Sequence, residues 1–411
     1  MTVALSRRAS DVRVIGLISL AHGSSHFFHL ILPPMFPWLK AEFGFNYAEL
    51  GLLMTIFFVV SCIVQASSGF LVDRIGARPV LFAGVGLLSL AALTYSQSNG
   101  YAMLVLGAVI AGCGNGVFHP VDYTLINHKV SPPNLPYAYS VHGVTGYLGW
   151  AAAPALMVGM TTLFDWRIAF LTASALEVLI LLILWLSRER LVDDVQARRD
   201  ESQASHAASN PGAAPLSTFG FLKLPAVWLC WIFFFFSMAA TTGLQSFAPT
   251  ALFEIYEISV SSGNYYLTLL SMGGAGGMLL GGYLATRLKA PERIITMCFT
   301  VNIVMGLLLA TGLVPKEIIL LAFVVIGLGL GIAAPSRDLM VRSATPSGSS
   351  GRVYGIVYSG IDLGAALSPL IFGIFLDGDL PKLLFVGVAL LQLMIILTSF
   401  KVSTFTAAKS V

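Results

Sequence analysis

The sequence predicts an all-α, polytopic membrane protein with twelve transmembrane helices in two pseudo-symmetric six-helix bundles. Three observations carry this expectation. Of 411 residues, 56% are hydrophobic and only 10% are charged, whereas a water-soluble domain carries about 25% charged residues. Apolar runs of spanning length recur along the whole chain, and in lipid a helix is the element that satisfies its own backbone polar groups. Finally, glycine and proline positions in the second half repeat those of the first at a fixed offset.

The first six runs fall at 12–38, 47–72, 79–97, 101–127, 136–161 and 165–187, and the second six at 225–252, 261–286, 293–313, 316–341, 352–376 and 381–402. Arg7 and Arg8 before the first run mimic a signal peptide, but the run continues to Trp38 and another apolar run follows it. Residues 188–224 are polar, charged and rich in Ala, Ser and Pro, which reads as a solvated linker with a short surface helix at its start. The expected domains are therefore an N-terminal bundle at 1–187, a cytoplasmic linker at 188–224 and a C-terminal bundle at 225–411. Prolines 33, 34, 120, 154, 249, 335 and 369 lie within or near the ends of the runs. Membrane helices tolerate them where neighbours re-satisfy the backbone.

Basic residues set the expected orientation. With both termini in the cytoplasm, Arg7, Arg8, Arg13, Arg74, Arg78, Lys129, the linker basics, Arg287, Lys289, Arg293, Arg342, Arg352, Lys401 and Lys409 fall inside. Only Lys40, Arg167, Lys316 and Lys382 fall outside. The expected location is the cell membrane. Cys62, Cys113, Cys230 and Cys298 lie far apart in apolar runs and read as small packing residues.

The repeat is specific. Gly112, Gly114, Gly116 and Pro120 recur as Gly327, Gly329, Gly331 and Pro335, an offset of 215. The same offset carries Tyr139, Gly149 and Pro154 onto Tyr354, Gly364 and Pro369, and Pro34 onto Pro249. A parallel repeat of two bundles is a transporter design with its site between the halves.

The turn after the second run reads "GFLVDRIGARPV", placing Gly69, Asp73, Arg74, Gly76 and Arg78 in one short loop. Gly69 permits close helix approach. Asp73 can accept from backbone N–H groups at a helix start and pair with a basic residue. This loop resembles the signature G-x-x-x-D-R-x-G-R-[RK] of the major facilitator superfamily, with Ala77 where a basic residue is usual. Gly282, Thr286 and Arg287 form a weaker second copy without the acid. The segments "SHFFHLILPPMFPWLKAEFGFNYAELGLL" and "GNGVFHP" resemble the branch around the fosmidomycin-resistance exporter. Two departures stand against a simple drug-exporter assignment. Span five has Gly149 and Pro154 but no adjacent Gly-Pro pair, and span one offers histidines where many drug/proton antiporters offer a carboxylate.

The resemblance implies that spans one, four, seven and ten line a central cavity. Span one places His22, His26 and His29 at i, i+4, i+7, one stripe of the helix. Span four carries Asn115, His119 and Asp122, and span seven Ser237, Thr241 and Gln245. Spans five and eleven contribute His142, Tyr147, Tyr358 and Asp362. Ionisable residues in a span are functional candidates by default, and imidazoles titrate where a proton-linked step needs them. The expected substrate or proton-coupling set is His22, His26, His29, Asn115, His119, His142, Thr241, Gln245 and Asp362. The expected cytoplasmic gate is Gly69, Asp73, Arg74, Gly76, Arg78, Asp122, Arg337 and Asp338, with Arg337 pairing to Asp338, Asp362 or Asp122. Glu177 and the Gly273, Gly277, Gly281 stripe read as structural. The His22, His26, His29 stripe alone cannot surround a metal ion, because it lies along one straight helix.

The expectation is a secondary transporter that moves a small organic solute by alternating access, with protons as the coupling ion. Export of a drug-like metabolite and uptake of a small polar metabolite or carboxylate both remain open, and a transporter-shaped sensor is the third reading. The partners expected are a small-molecule solute, protons and the lipid bilayer, with no nucleic acid, no cofactor and a monomeric state. Neither a nucleophile–base constellation nor a phosphate-cradling loop is present, so an enzyme is not expected.

Overall fold

The computed structural model describes residues 2–45, 47–195, 220–288, 290–345 and 350–407, and no strand occurs among them. Residues 196–219 of the expected linker, with Lys289 and Lys409, lie outside the described residues. The helices are α1 (Thr2–His29), α2 (Phe36–Phe43), α3 (Tyr47–Ile75), α4 (Ala77–Ser96), α5 (Tyr101–Asn115), α6 (Phe118–Lys129), α7 (Leu135–Leu163) and α8 (Trp166–Leu186). They continue with α9 (Pro225–Tyr256), α10 (Val260–Arg287), α11 (Pro291–Thr311), α12 (Lys316–Ala344), α13 (Ser350–Asp377) and α14 (Lys382–Ala407).

Eleven spans among the described residues are long and apolar enough to cross a membrane. The fifth expected span, 136–161, is the 29-residue helix α7, whose first half carries Tyr137, Tyr139, Ser140, His142 and Thr145. It is not among the eleven. Large apolar side chains such as Leu163, Leu186 and Ile374 stand exposed on the helix surfaces, as a lipid-facing surface requires.

Two expected spans are broken by proline. The first run ends as a helix at His29, and a 3-10 turn at Pro33–Met35 leads into α2. Two successive prolines withdraw the N–H groups that would continue the ladder. The fourth run divides into α5 and α6 around Gly116 and Val117. Pro120 has no N–H to offer the Gly116 carbonyl four residues back, and the Ser68 hydroxyl of α3 donates to that carbonyl instead, at 3.1 Å. The linker begins as a 3-10 turn, Arg188–Leu191, and Val195, the last described residue before 220, is helical.

The chain forms two compact units. One comprises Met1–Ala138, Thr145–Phe221 and Pro346–Ser359, and the other Tyr139–Val144, Leu222–Thr345 and Gly360–Val411. Inside the first, Gly112 and Gly116 face α3: a Cβ at either would sit 2.6 Å from a carbonyl oxygen, that of Phe57 or Ser61. Gly114 faces the other way, toward the Gly84 carbonyl of α4 at 2.9 Å. Inside the second, their repeat counterparts take the same parts. Gly327 and Gly331 meet the Leu270 and Gly274 carbonyls of α10, while Gly329 faces Asn302 of α11. Gly273, Gly277 and Gly281 of α10 lie against the carbonyls of Val324, Leu328 and Ile332 in α12. Small residues thus permit a close helix approach in each unit.

Gly116→Ala is expected to lower stability by about 1–3 kcal/mol, because its methyl would press on the Ser61 carbonyl, the Val64 Cβ and the Gln65 backbone nitrogen, none of which can swing away. Gly86→Ala, with nothing within 4 Å of the added carbon, should leave stability unchanged or raise it slightly. Thermal unfolding of both variants in detergent measures the contrast.

Candidate functional site

The polar side chains of α1, α3, α5, α6 and α7 meet inside the first unit. His22 and His29 are buried, at 3% and 5% exposure, and His26 is half-buried between them. The stripe therefore turns toward protein. His26 lies 4.4 Å from His22, stacks on His29 at 4.9 Å and lies 4.6 Å from Trp150, between ring centroids. Gly146 of α7 makes room for these rings, since a Cβ there would sit 2.9 Å from His26 Nδ1 and 3.2 Å from His22 Nε2.

Hydrogen-bond direction fixes the protonation of three of the histidines. The Trp150 indole N–H, which can only donate, points at His29 Nδ1 at 3.2 Å. That nitrogen must accept, so the proton of His29 sits on Nε2, which donates to Asn115 Oδ1 at 3.1 Å. The Asn115 amide then donates to Ser61 Oγ at 2.8 Å. Trp150, His29, Asn115 and Ser61 form one directional chain, and a second proton on His29 would face the indole N–H. His29 is thus held neutral.

His22 and His119 are set the other way round. His22 Nδ1 donates to Asp122 Oδ2 at 3.1 Å, with both groups buried. Gln65 Nε2 donates to the backbone carbonyl of Tyr358 at 2.8 Å, so Gln65 Oε1 is the atom presented to His119 Nδ1, at 2.6 Å. Both rings therefore keep a proton on Nδ1. Asp122, grouped by sequence with the gate, accepts from His22 Nδ1.

The loop residues lie apart from this cluster, at the far end of α3. Asp73 Oδ2 accepts from Arg352 Nε at 2.7 Å and from the Arg352 backbone N–H at 3.4 Å. Gly69 and Gly351 let the two backbones touch, for a Cβ on Gly351 would sit 2.9 Å from both Asp73 Oδ1 and the Gly69 carbonyl. Gly76 adopts φ 93°, in the left-handed region that favours glycine. The next N–H, of Ala77, donates to Asp193 Oδ2 at 3.0 Å. Arg78 donates to the Arg188 carbonyl at 3.4 Å, while Arg74 is exposed.

The remaining candidates belong to the second unit. Arg337 Nε pairs with Asp338 at 2.9 Å and lies over the Phe234 ring at 4.7 Å. Thr241 donates to the Ser237 carbonyl of its own helix at 2.9 Å, and Gln245 is half-buried. His142 and Asp362 are buried. Sequence reasoning did not single out Ser61, Gln65, Gly146, Trp150 or the pairing role of Arg352. Gln65 is a lone amide inside an otherwise apolar span and was visible in principle. The others needed the helix contacts.

Nitrogen-15 NMR of labelled histidines is expected to show His29 as the Nε2–H tautomer at every pH where the fold persists. His22 and His119 should retain Nδ1–H. Trp150→Phe removes the indole donor and should let His29 populate the Nδ1–H tautomer as well.

The family described as Major Facilitator Superfamily matches residues 18–405. Similar proteins include the probable L-galactonate transporter of Escherichia coli K12, 25% identical over 60% of this chain and 55% of that protein. A multidrug resistance protein B homolog of Mycobacterium tuberculosis is 24% identical over 87% of this chain and 69% of that protein. The fosmidomycin resistance protein of Escherichia coli K12 is 21% identical over 66% of this chain and 64% of that protein. The match thus spans little more than half the length of the L-galactonate transporter. Among solved structures, the proton:xylose symporter XylE shares the fold with a TM-score of 0.80 at 12% identity, covering 96% of both chains.

Proposed function

The chain belongs to the major facilitator superfamily, and from that premise we propose that it is a proton-coupled exporter of a small organic solute. It is a multi-pass membrane transporter of that family; the coupling, the solute class and the direction are our reading. The observation that carries the reading is the pair of imidazoles His22 and His119. Each is oriented through Nδ1, by Asp122 or Gln65, and in this reading carries the coupling proton. His26 stands within ring contact of both, at 4.4 and 6.3 Å between centroids. His29, with its proton fixed on Nε2, orients the cluster and takes no part in proton transfer. Asp362, His142, Thr241 and Gln245 belong to the solute or proton path from the second unit.

In this reading both termini are cytoplasmic, the location is the cell membrane, the protein is a monomer, and the halves 1–187 and 225–411 alternate access about the linker 188–224. The Asp73–Arg352 pair, with Gly69 against Gly351, holds the cytoplasmic side closed. Solute and proton drive the cycle only through their different affinities for the two states. Export is favoured by likeness to the fosmidomycin resistance and multidrug resistance proteins. Uptake of a polar carboxylate or sugar derivative is the second reading, favoured by likeness to the L-galactonate and hexose phosphate transport proteins.

Purified protein in liposomes, offered labelled fosmidomycin, a hexose phosphate and L-galactonate, tests this. One solute should move in response to an imposed pH gradient, and His119→Gln should uncouple that movement. Flux indifferent to the gradient would reject proton coupling, and binding without flux would favour a sensor.

Asp73→Asn removes a charge-assisted bond worth about 1.5–3 kcal/mol. It should slow turnover on the order of tenfold or more and leave solute affinity nearly intact. Stopped-flow transport alongside equilibrium binding separates the two; unchanged turnover with weakened binding would refute the latch.

A further inference from the structure

We propose that His22, His26 and His119 form a binding site for a borderline divalent transition-metal ion, with Zn2+ as its probe. The inference stands apart from proton coupling, since it requires only the positions of three rings. The stripe on α1 lacks the directions needed to surround an ion, and His119 of α6 supplies the missing one. One ring nitrogen from each of His22, His26 and His119 lies within 4.8 Å of the other two. A tetrahedral ion with Zn–N bonds of about 2.0–2.1 Å needs its nitrogens about 3.4 Å apart. Side-chain rotations of on the order of an ångström close that gap.

Three features make this more than a cluster of rings. Metal-ligating histidines characteristically donate their other N–H to a carboxylate or a carbonyl oxygen, which orients the ring and raises its basicity. His22 does this through Nδ1 to Asp122, and His119 through Nδ1 to Gln65 Oε1. Each ring is thereby oriented from the side of Nδ1. Gly146 lacks the Cβ that would press on His26 Nδ1 and His22 Nε2, so the space beside the two nitrogens is kept clear. Asp122, fully buried, provides negative charge in the outer shell, which a dication away from water requires. Imidazole-only ligation selects Zn2+, Cu2+, Ni2+ or Fe2+ over Mg2+ and Ca2+, which prefer oxygen. Three ligands leave a fourth position for water or a solute donor atom. Because metal and protons seek the same lone pairs, binding should release protons and weaken as the medium becomes acidic.

Calorimetric titration of the purified full-length protein with Zn2+, with Co2+ absorption as a second readout, tests the site. One saturable site is expected. His119→Gln and His26→Asn should each weaken Zn2+ binding about tenfold or more, and Asp122→Asn, which removes no ligand, about 10–100-fold. Gly146→Ala should weaken it while leaving every ligand in place, and His128→Asn, an exposed histidine, should not change it. Thermal unfolding establishes that each variant is folded. Absence of saturable Zn2+ binding to the unaltered protein overturns the proposal, as does unchanged affinity in folded His119→Gln. If the variants unfold, the Co2+ spectrum of the unaltered protein decides. Intense tetrahedral bands support the site; a weak octahedral spectrum overturns it.

Discussion

The approach of α5 and α6 onto α3 governs the polar cluster. At Gly112 and Gly116 the helices run so close that a single methyl group would strike a carbonyl oxygen of α3. The side chains at 115 and 119, on the neighbouring face, then reach α3 directly: Asn115 meets Ser61 and His119 meets Gln65. Wider spacing would leave those amides and rings facing hydrocarbon without partners, at a cost of several kcal/mol for each group. The helix break at Gly116 belongs to the same contact. Pro120 orphans a carbonyl, and Ser68, one turn along α3 from Gln65, satisfies it. Glycine contact, proline break and polar cluster form one arrangement.

Within that arrangement the chemistry of each histidine follows from what its neighbours are able to do. An indole can only donate and a backbone carbonyl can only accept. Each sets the direction of a short chain of bonds, so rings seven residues apart on one helix acquire opposite tautomers. His29, between Trp150 and Asn115, has both nitrogens committed. His22 and His119 are each held through Nδ1 by the groups named above. Chemically identical side chains along one stripe and its neighbour thereby take different tautomers.

Much of this was legible in the chain. Composition and run length gave the helices, and the 215-residue offset of Gly112, Gly114 and Gly116 anticipated that Gly327, Gly329 and Gly331 would pack in the same manner. The i, i+4, i+7 stripe identified the three histidines of α1. What the sequence withheld was direction and partnership. Nothing local says that Asp122 turns to His22 rather than to an arginine, because that choice depends on the rotation of α6 once Gly116 has met α3. Trp150 resembles any apolar span residue until α7 is seen against α1. The fourth span crosses as expected, but where its helix breaks was not legible: tolerance of Pro120 depends on a hydroxyl from another helix, and Ser68 is one of many serines.

Gln65 connects the two parts of the first unit. One end of its amide accepts from His119, and the other donates to the Tyr358 carbonyl in the segment of α13 that also brings Gly351 and Arg352 to Gly69 and Asp73. The carbonyl of Tyr358 is what fixes the amide's orientation, and through it the tautomer of His119. Were that segment to part from α3, breaking the Asp73–Arg352 pair, Gln65 would lose its obligate acceptor and its amide would be free to turn over. The turned amide would present N–H to His119 Nδ1, which must then accept, and the ring proton would move to Nε2. The tautomer of His119 is thus tied by one rotatable amide to a backbone contact two helical turns away.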